Sequence, residues 1–260
     1  MSTASATAEG TVGTAHLTAL YVYGIVPADT PVDALDEDTG MAGNVRLLGE
    51  GAVAAVVEPV DPERPLGRRR DLLAHSTVLN QLATRGPVLP MRFGSVLDSE
   101  EAVVAELLRP HQDHFAAMLE QVRDKVQFTL RVRYVLDSVL AEVVSENAEV
   151  ARLREQTAGQ PEEATHYERI RLGEIVAKEV DVRRRRDAAA ILNGMAPHAE
   201  RVAEKETGGM DGLLDASFLV PAARQAEFEQ AAEALAEEWD GRARVSLIGP
   251  TALFDFVDEE

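Results

Sequence analysis

The segment Lys125 to Val135, KVQFTLRVRYV, places Val126, Phe128, Leu130, Val132 and Tyr134 on one side of an extended chain. Gln127, Thr129, Arg131 and Arg133 fall on the other. A strand with this alternation is stable only in a sheet that has one face covered and the other polar. The residues after it read as a helical hairpin projecting from the body. Positions 136–206 read as almost entirely helical, broken at TAGQPEE (Thr157 to Glu163) into the two arms of a hairpin. In the second arm Ile170, Val176, Val180, Ile191, Met195 and Val202 form an intermittent apolar stripe among charges, the pattern of a two-helix coiled coil. The remainder, LLDASFLVP, RQAEFEQAAEALAEEWD, RARVSLIGP and TALFDFV, reads as strand, amphipathic helix, strand and short strand.

The first half follows a different order. LYVYGIV (Leu20 to Val26) is aromatic and β-branched and stops at Pro27. VRLL and AVAAVVEPV, separated by Gly49-Glu50-Gly51, form a hairpin. Residues 68–85 set Leu72, His75, Leu79 and Leu82 at helical spacing, and VLPMRFGSV supplies the next strand. Asp98 and Glu101 look like a capping box opening a helix through Leu108, and Pro110 breaks or restarts it, with a second run to about Asp124. The fold class expected is α+β: an N-terminal modified ferredoxin-like domain with helices on one face of its sheet, and a C-terminal α+β domain with an inserted coiled-coil hairpin. The expected boundaries are a disordered tail at 1–19, a first domain at 20–124 and a second at 125–260, with the hairpin at about 136–206.

Composition excludes several functions. The net charge of −19 disfavours nucleic acid and anionic lipid surfaces, both of which select basic footprints. No apolar run reaches the ~20 residues that span a bilayer. The absence of cysteine removes disulfides, thiol nucleophiles and thiolate metal sites, and agrees with a cytoplasmic location. Only three of the 26 basic residues are lysines, Lys125, Lys178 and Lys205, a bias of base composition that says nothing of activity.

Motifs that carry chemistry are scarce. Gly49-Glu50-Gly51 precedes a strand rather than a helix, so it is a turn and not a dinucleotide fingerprint. His111 and His114 stand three apart on a helix, a spacing that can share a metal, but nothing nominates further ligands. Arg183 to Arg186 read as the basic block of the chain, with Glu174, Glu179 and Asp187 at pairing distance along the helix. Trp239 ends an amphipathic helix as a core cover. Arg92, a lone charge in the apolar stretch GPVLPMRFGSV, is either the solvent side of a strand or an internal ion pair. A catalytic arginine needs companions, and none is visible. No catalytic residue, cofactor or metal is expected.

Taken together, LYVYGIV, the His75 helix followed by VLPMRFGSVLDSEE, and RVSLIGP before a terminal aromatic segment resemble the gas vesicle accessory proteins GvpF and GvpL, over roughly Leu20 to Val257. The resemblance implies a two-domain, non-enzymatic protein acting in the assembly of gas vesicles, with the hydrophobic shell protein and other accessory proteins as partners. One departure follows Gly249-Pro250, where the family's proline- and tyrosine-rich stretch is replaced by Thr251-Ala252-Leu253-Phe254-Asp255-Phe256. The candidate interaction or fold-determining residues are Tyr21, Tyr23, Gly24, Arg92, Phe93, Gly94, Gly249 and Pro250. The alternative is a ferredoxin-like small-molecule-binding regulatory module, with or without enzymatic activity.

Overall fold

The computed structural model describes residues 19–31 and 39–257, so the expected N-terminal tail lies outside the described residues except for Ala19. Two antiparallel sheets organise the chain. In the first, β1 (Ala19–Pro27) is central, flanked by the hairpin of β2 (Arg46–Glu50) and β3 (Val53–Val60) and by the short β4 (Leu89–Pro90) and β5 (Val96–Leu97). The strand order is β2-β3-β1-β4, with β5 also on β1.

Helices cover both faces of this sheet, not one as expected. Val78, Leu79 and Leu82 of α1 (Arg69–Ala83) pack with Tyr21, Tyr23 and Val56 on one side. On the other, Leu108, Leu119 and Val122 pack with Leu20, Val22 and Ile25. Burial on both faces explains why LYVYGIV is apolar without a break. A register shift between Val22 and Gly24 displaces the alternation, so that Ile25 joins Leu20 and Val22.

Two sequence expectations fail in this half. VLPMRFGSV is not one strand: Leu89–Pro90 and Val96–Leu97 pair separately with β1, and the residues between them turn. Gly94, at φ 95°, takes the left-handed conformation that ends the turn. Pro110 restarts the helix rather than breaking it, and the cap is one residue away from the one expected. The helical stretch runs through α2 (Glu100–Ala102), a π-helical segment (Val103–Leu108) and α3 (Arg109–Gln121). The Arg109 amide bonds back to the Val104 carbonyl, a widened turn beside a proline that has no amide hydrogen to give. Ser99 rather than Asp98 caps this stretch, accepting from the Ala102 amide at 3.1 Å.

The second sheet has the order β7-β8-β6-β9: β6 (Lys125–Tyr134), β7 (Arg201–Lys205), β8 (Gly212–Pro221) and β9 (Ala243–Thr251). Between β6 and β7 come α4 (Leu136–Glu146), α5 (Ala148–Thr157) and α6 (His166–Met195), and α7 (Gln225–Glu238) joins β8 to β9. The apolar side of β6 packs with Val139, Val143, Ile191, Met195 and Phe228 from these helices. The expected hairpin differs in two respects. Its first arm is two helices, because Asn147 turns the chain and caps α5 through the amides of Glu149 and Val150 at 3.0 and 3.2 Å. Its second arm stops near 198, and Val202 lies in the edge strand β7, where Arg201–Lys205 pairs with Asp215–Leu219. The terminal TALFDFV is no strand either. Residues 252–257 fold back, and Leu253 and Phe256 join the core of the first lobe, that is, the first sheet with the helices packed on it.

Candidate functional site

Tyr21 and Tyr23 follow one another on the α1 face of β1, and neither is exposed to solvent. α1 brings His75 to both rings: its Nδ1 lies 2.9 Å from the Tyr21 hydroxyl, and its ring stacks on Tyr23 with centroids 5.7 Å apart. His75 also bonds the backbone of Met91, while the Gly94 amide donates to the Tyr21 hydroxyl at 3.1 Å. The Met91 amide in turn donates to the Tyr23 carbonyl at 2.9 Å. Phe93 closes the cluster edge-on, 5.7 Å from His75 and 6.1 Å from Tyr21. The Met91–Gly94 turn is therefore held from below by β1 and α1. Arg92 sits at its tip with an exposed side chain, and its carbonyl accepts from the Ser95 amide and hydroxyl.

Burial sets the electrostatics here. It raises the Tyr21 phenol to about 12, raises Tyr23 further, and lowers His75 below the usual imidazole value. Neutral hydrogen-bonding groups of this kind position backbone well.

Glu58, which sequence reasoning passed over, completes the arrangement. It is fully buried, accepts from the Tyr23 hydroxyl, and takes the backbone amides of Met41 and Ala42 at 2.8 and 2.6 Å. Its signal was available: one acidic residue inside AVAAVVEPV, the same kind of anomaly as Arg92 but directed inward. Gly40, at φ 106°, lets the loop close over this carboxyl group, since a Cβ there would lie 3.0 Å from both of its oxygens. Gly24 is required for a different reason. A Cβ at that position would stand 2.7 Å from the Leu89 carbonyl oxygen and 2.9 Å from Leu79.

Gly249 and Pro250 are not part of this cluster. They lie at the end of β9, where the register with β6 shifts between Gln127 and Thr129, and a Cβ on Gly249 would stand 2.5 Å from the Phe128 ring. The chain then crosses to the first lobe. The Ala252 amide bonds Asn80 of α1 at 3.1 Å, and Asp255 accepts from Gln127, Ser217 and Lys205 at 2.6, 2.7 and 2.6 Å. This polar clamp sits on the face of β6 that the alternation assigned to polar groups.

Beside the Arg92 turn lies an apolar groove of ≈270 Å³, lined by Ile25, Leu89, Met91, Leu107, Phe115 and Met118, with Arg92, His111 and His114 on its border. A neighbouring hollow of ≈500 Å³ shares Pro90, Met91, Arg92 and Val257 with it and adds Phe93 and Phe254, the latter 40% exposed. His111 and His114 thus border an apolar surface, and among the described residues no group of three or more potential ligands could hold a metal. Three arginines of the four-residue run are tied into their own lobe, and Arg185 is exposed. Arg183 is buried against Glu146 and Glu179 at 2.5 and 2.8 Å, Arg184 pairs with Asp181, and Arg186 with Asp187. Trp239 is buried, with the Arg242 guanidinium 5.0 Å above its ring. No helix among the described residues is long and apolar enough to cross a membrane.

Comparison with known proteins accounts for the whole of this architecture. The chain is 33% identical to gas vesicle protein F of Streptomyces sp. (strain CB03234), covering 92% of this chain and 99% of that protein. It is 24% identical to gas vesicle protein F of Nostoc sp. (strain PCC 7120), over 92% of this chain and 97% of that one. Its fold matches the crystal structures of GvpF from Anabaena sp. PCC7120 and from Microcystis aeruginosa, with TM-scores of 0.78 and 0.75 at 23% and 22% identity, over 94% and 93% of this chain and 99% and 100% of those. The family model for gas vesicle synthesis protein GvpL/GvpF matches residues 19–258. This family is one of gas vesicle proteins and is not a known enzyme family. The chain belongs to the GvpL/GvpF family of gas vesicle synthesis proteins.

Proposed function

We propose that this protein is a gas vesicle assembly factor that binds the hydrophobic shell protein, or other vesicle proteins, during nucleation and growth, through the groove beside the Arg92 turn. The observation that carries this reading is the groove itself: an apolar trough of ≈270 Å³ bordered by cationic and imidazole side chains, on a chain of net charge −19. A shell subunit must present an apolar surface to gas and is aggregation-prone before assembly. An apolar trough can cover part of that surface by helix-in-groove packing, and the flexible thioethers of Met91 and Met118 adapt to its shape. The acidic remainder of the chain keeps the complex dispersed by repulsion.

On this reading Tyr21, Tyr23, Gly24, Phe93 and Gly94 shape and hold the binding edge, Arg92 contacts the partner, and Gly249-Pro250 directs the C-terminal segment to the groove's far end. The protein acts without catalysis in the cytoplasm, at the vesicle, on protein partners rather than nucleic acid or membrane. The first lobe, about 20–124, is a modified ferredoxin-like domain, and the second, about 125–260, is an α+β domain with a coiled-coil hairpin inserted.

Co-expression with the shell protein, followed by affinity pull-down at low and high salt, tests the proposal. Co-purification should persist in high salt and should be lost in Met118→Glu, while Ile170→Glu on distant α6 leaves it intact. Failure of the wild-type chain at both salt concentrations, with shell protein demonstrably present, would overturn the shell-binding reading.

A further inference from the structure

The chain carries a second arginine run, Arg68 to Arg70, that the sequence reading did not count as a basic block, and its surroundings differ from those of Arg183–Arg186. All three side chains are exposed at the start of α1. Arg70 lies 3.6 Å from Asp71, which already holds Arg64 at 2.6 Å. Among the described residues Arg68 and Arg69 have no ion-pair partner. Cations at a helix N-terminus oppose its dipole, so these arginines do not serve the stability of α1. Leu72 and Leu73 follow them, 48% and 54% exposed. Arg69, Leu73 and Thr77 stand at i, i+4 and i+8 on the outward side of α1, opposite the buried His75, Val78 and Leu82.

The reverse misfit occurs on α7. Its buried residues are Phe228, Ala232 and Leu235, which leaves Ala226, Gln230, Glu233, Ala234 and Glu237 on the outward side, all exposed. Glu237, Glu238 and Asp240 crowd the C-terminal end, where anions are unfavourable, and the last turn holds no basic residue. Glu233 and Glu237 make no ion pair among the described residues.

We propose that the outward face of α1 docks against the outward face of α7 from a second copy of this chain, antiparallel, so that Arg69 and Arg70 meet Glu233 and Glu237 and the leucines lie over the alanines. Both faces are open to solvent within one chain, so their complementarity can be met only between copies. Each helix brings to the other the charge its own dipole lacks at that end. Two copies of net charge −19 repel elsewhere, and an attractive contact needs a cationic face such as this. The contact joins two different faces of the chain, so it closes into a pair where a two-fold axis reciprocates it and repeats from copy to copy where none does.

Sedimentation velocity of the full chain over a concentration series, with circular dichroism to confirm folding, tests this. The wild-type chain should form species larger than the monomer. R69E/R70E and E233R/E237R should each weaken association by at least tenfold, the scale of close charge pairs at interfaces. The quadruple variant with both faces reversed should associate again, which a folding defect cannot reproduce. A wild-type chain that stays monomeric throughout, or association unchanged in either single-face variant, overturns the proposal.

Discussion

In the first lobe the buried Glu58 accepts backbone amides of a loop and one phenol, with His75 and Tyr21 nearby gripping a second loop. In the second lobe the buried Asp187 is bound by Tyr134 and Arg242, both at 2.7 Å, and Arg242 also grips Glu142 with two nitrogens at 2.7 and 3.1 Å. One lobe spends its buried polar groups on backbone and loops, the other on joining helices to strand ends through charge. The first arrangement shapes a surface, whereas the second holds a scaffold. The two should therefore fail differently.

The largest effect is expected from Glu58→Ala. It removes the acceptor of the fully buried Tyr23 hydroxyl, where an unpaired donor costs ~1–3 kcal/mol, takes from the Met41 and Ala42 amides the carboxyl group that orders their loop, and empties the space the side chain filled. A loss of about 4 kcal/mol is expected, read by urea denaturation followed through tyrosine near-ultraviolet dichroism. A loss under ~1 kcal/mol would mean that the 40–44 loop is not held by this carboxyl group.

Arg242→Ala should cost less, about 2–3 kcal/mol, because the guanidinium is a quarter exposed and solvent screens part of its attraction. Burial alone would raise the Asp187 carboxyl, but bonds from Tyr134, Arg242 and Arg186 outweigh it and hold the group below its ordinary value. Removing Arg242 should release that hold. The chain's single tryptophan, Trp239, lies under Arg242, so its fluorescence reports this lobe directly. Gly24→Ala is expected to cost about 1–3 kcal/mol by forcing Leu79 and the Leu89 backbone aside, and calorimetry would measure it.

The two lobes also differed in how far the sequence revealed them. The β6 alternation was legible because one face meets helices and the other meets polar groups, so each side chain's chemistry states its direction. β1 lacks that contrast, being buried on both sides, and its apolar run concealed the second helical layer. The PMRFG turn could not be separated from a strand by pattern, since its extended residues flank a turn set by Gly94 and by partners far away in sequence. Glu58 and His75 were each visible, but their meeting with Tyr21 and Tyr23 depends on contacts 35 and 54 residues apart. Arg201–Lys205 reads as helix in the sequence because charge dominates it, and charge is what an edge strand uses to stay unpaired.

The smallest effect offers the sharpest comparison, a response to mild acid confined to one lobe. Burial lowers His75 in the folded chain, while an unfolded histidine titrates near ~6.5. Above that value the imidazole is neutral in both states and adds no slope. As pH falls below it, the unfolded chain takes up a proton that the folded chain refuses, so stability declines until the folded value is passed. One proton limits the slope to ~1.4 kcal/mol per pH unit. Asp187 behaves otherwise. Its folded value is lowered below that of an unfolded aspartate near ~3.9, so its contribution persists through mild acid and is lost only at lower pH. Between pH ~7 and ~5, with Tyr134 and Tyr167 replaced by Phe so that tyrosine dichroism reports Tyr21 and Tyr23, the urea midpoint read by that signal should therefore fall, while that read by Trp239 fluorescence holds if the lobes unfold separately. His75→Asn should flatten the tyrosine curve, at some cost in stability at neutral pH. A wild-type chain whose tyrosine midpoint does not move would show that the His75 anchor accommodates a proton, and the contrast between the His75 and Asp187 anchors would fall with it.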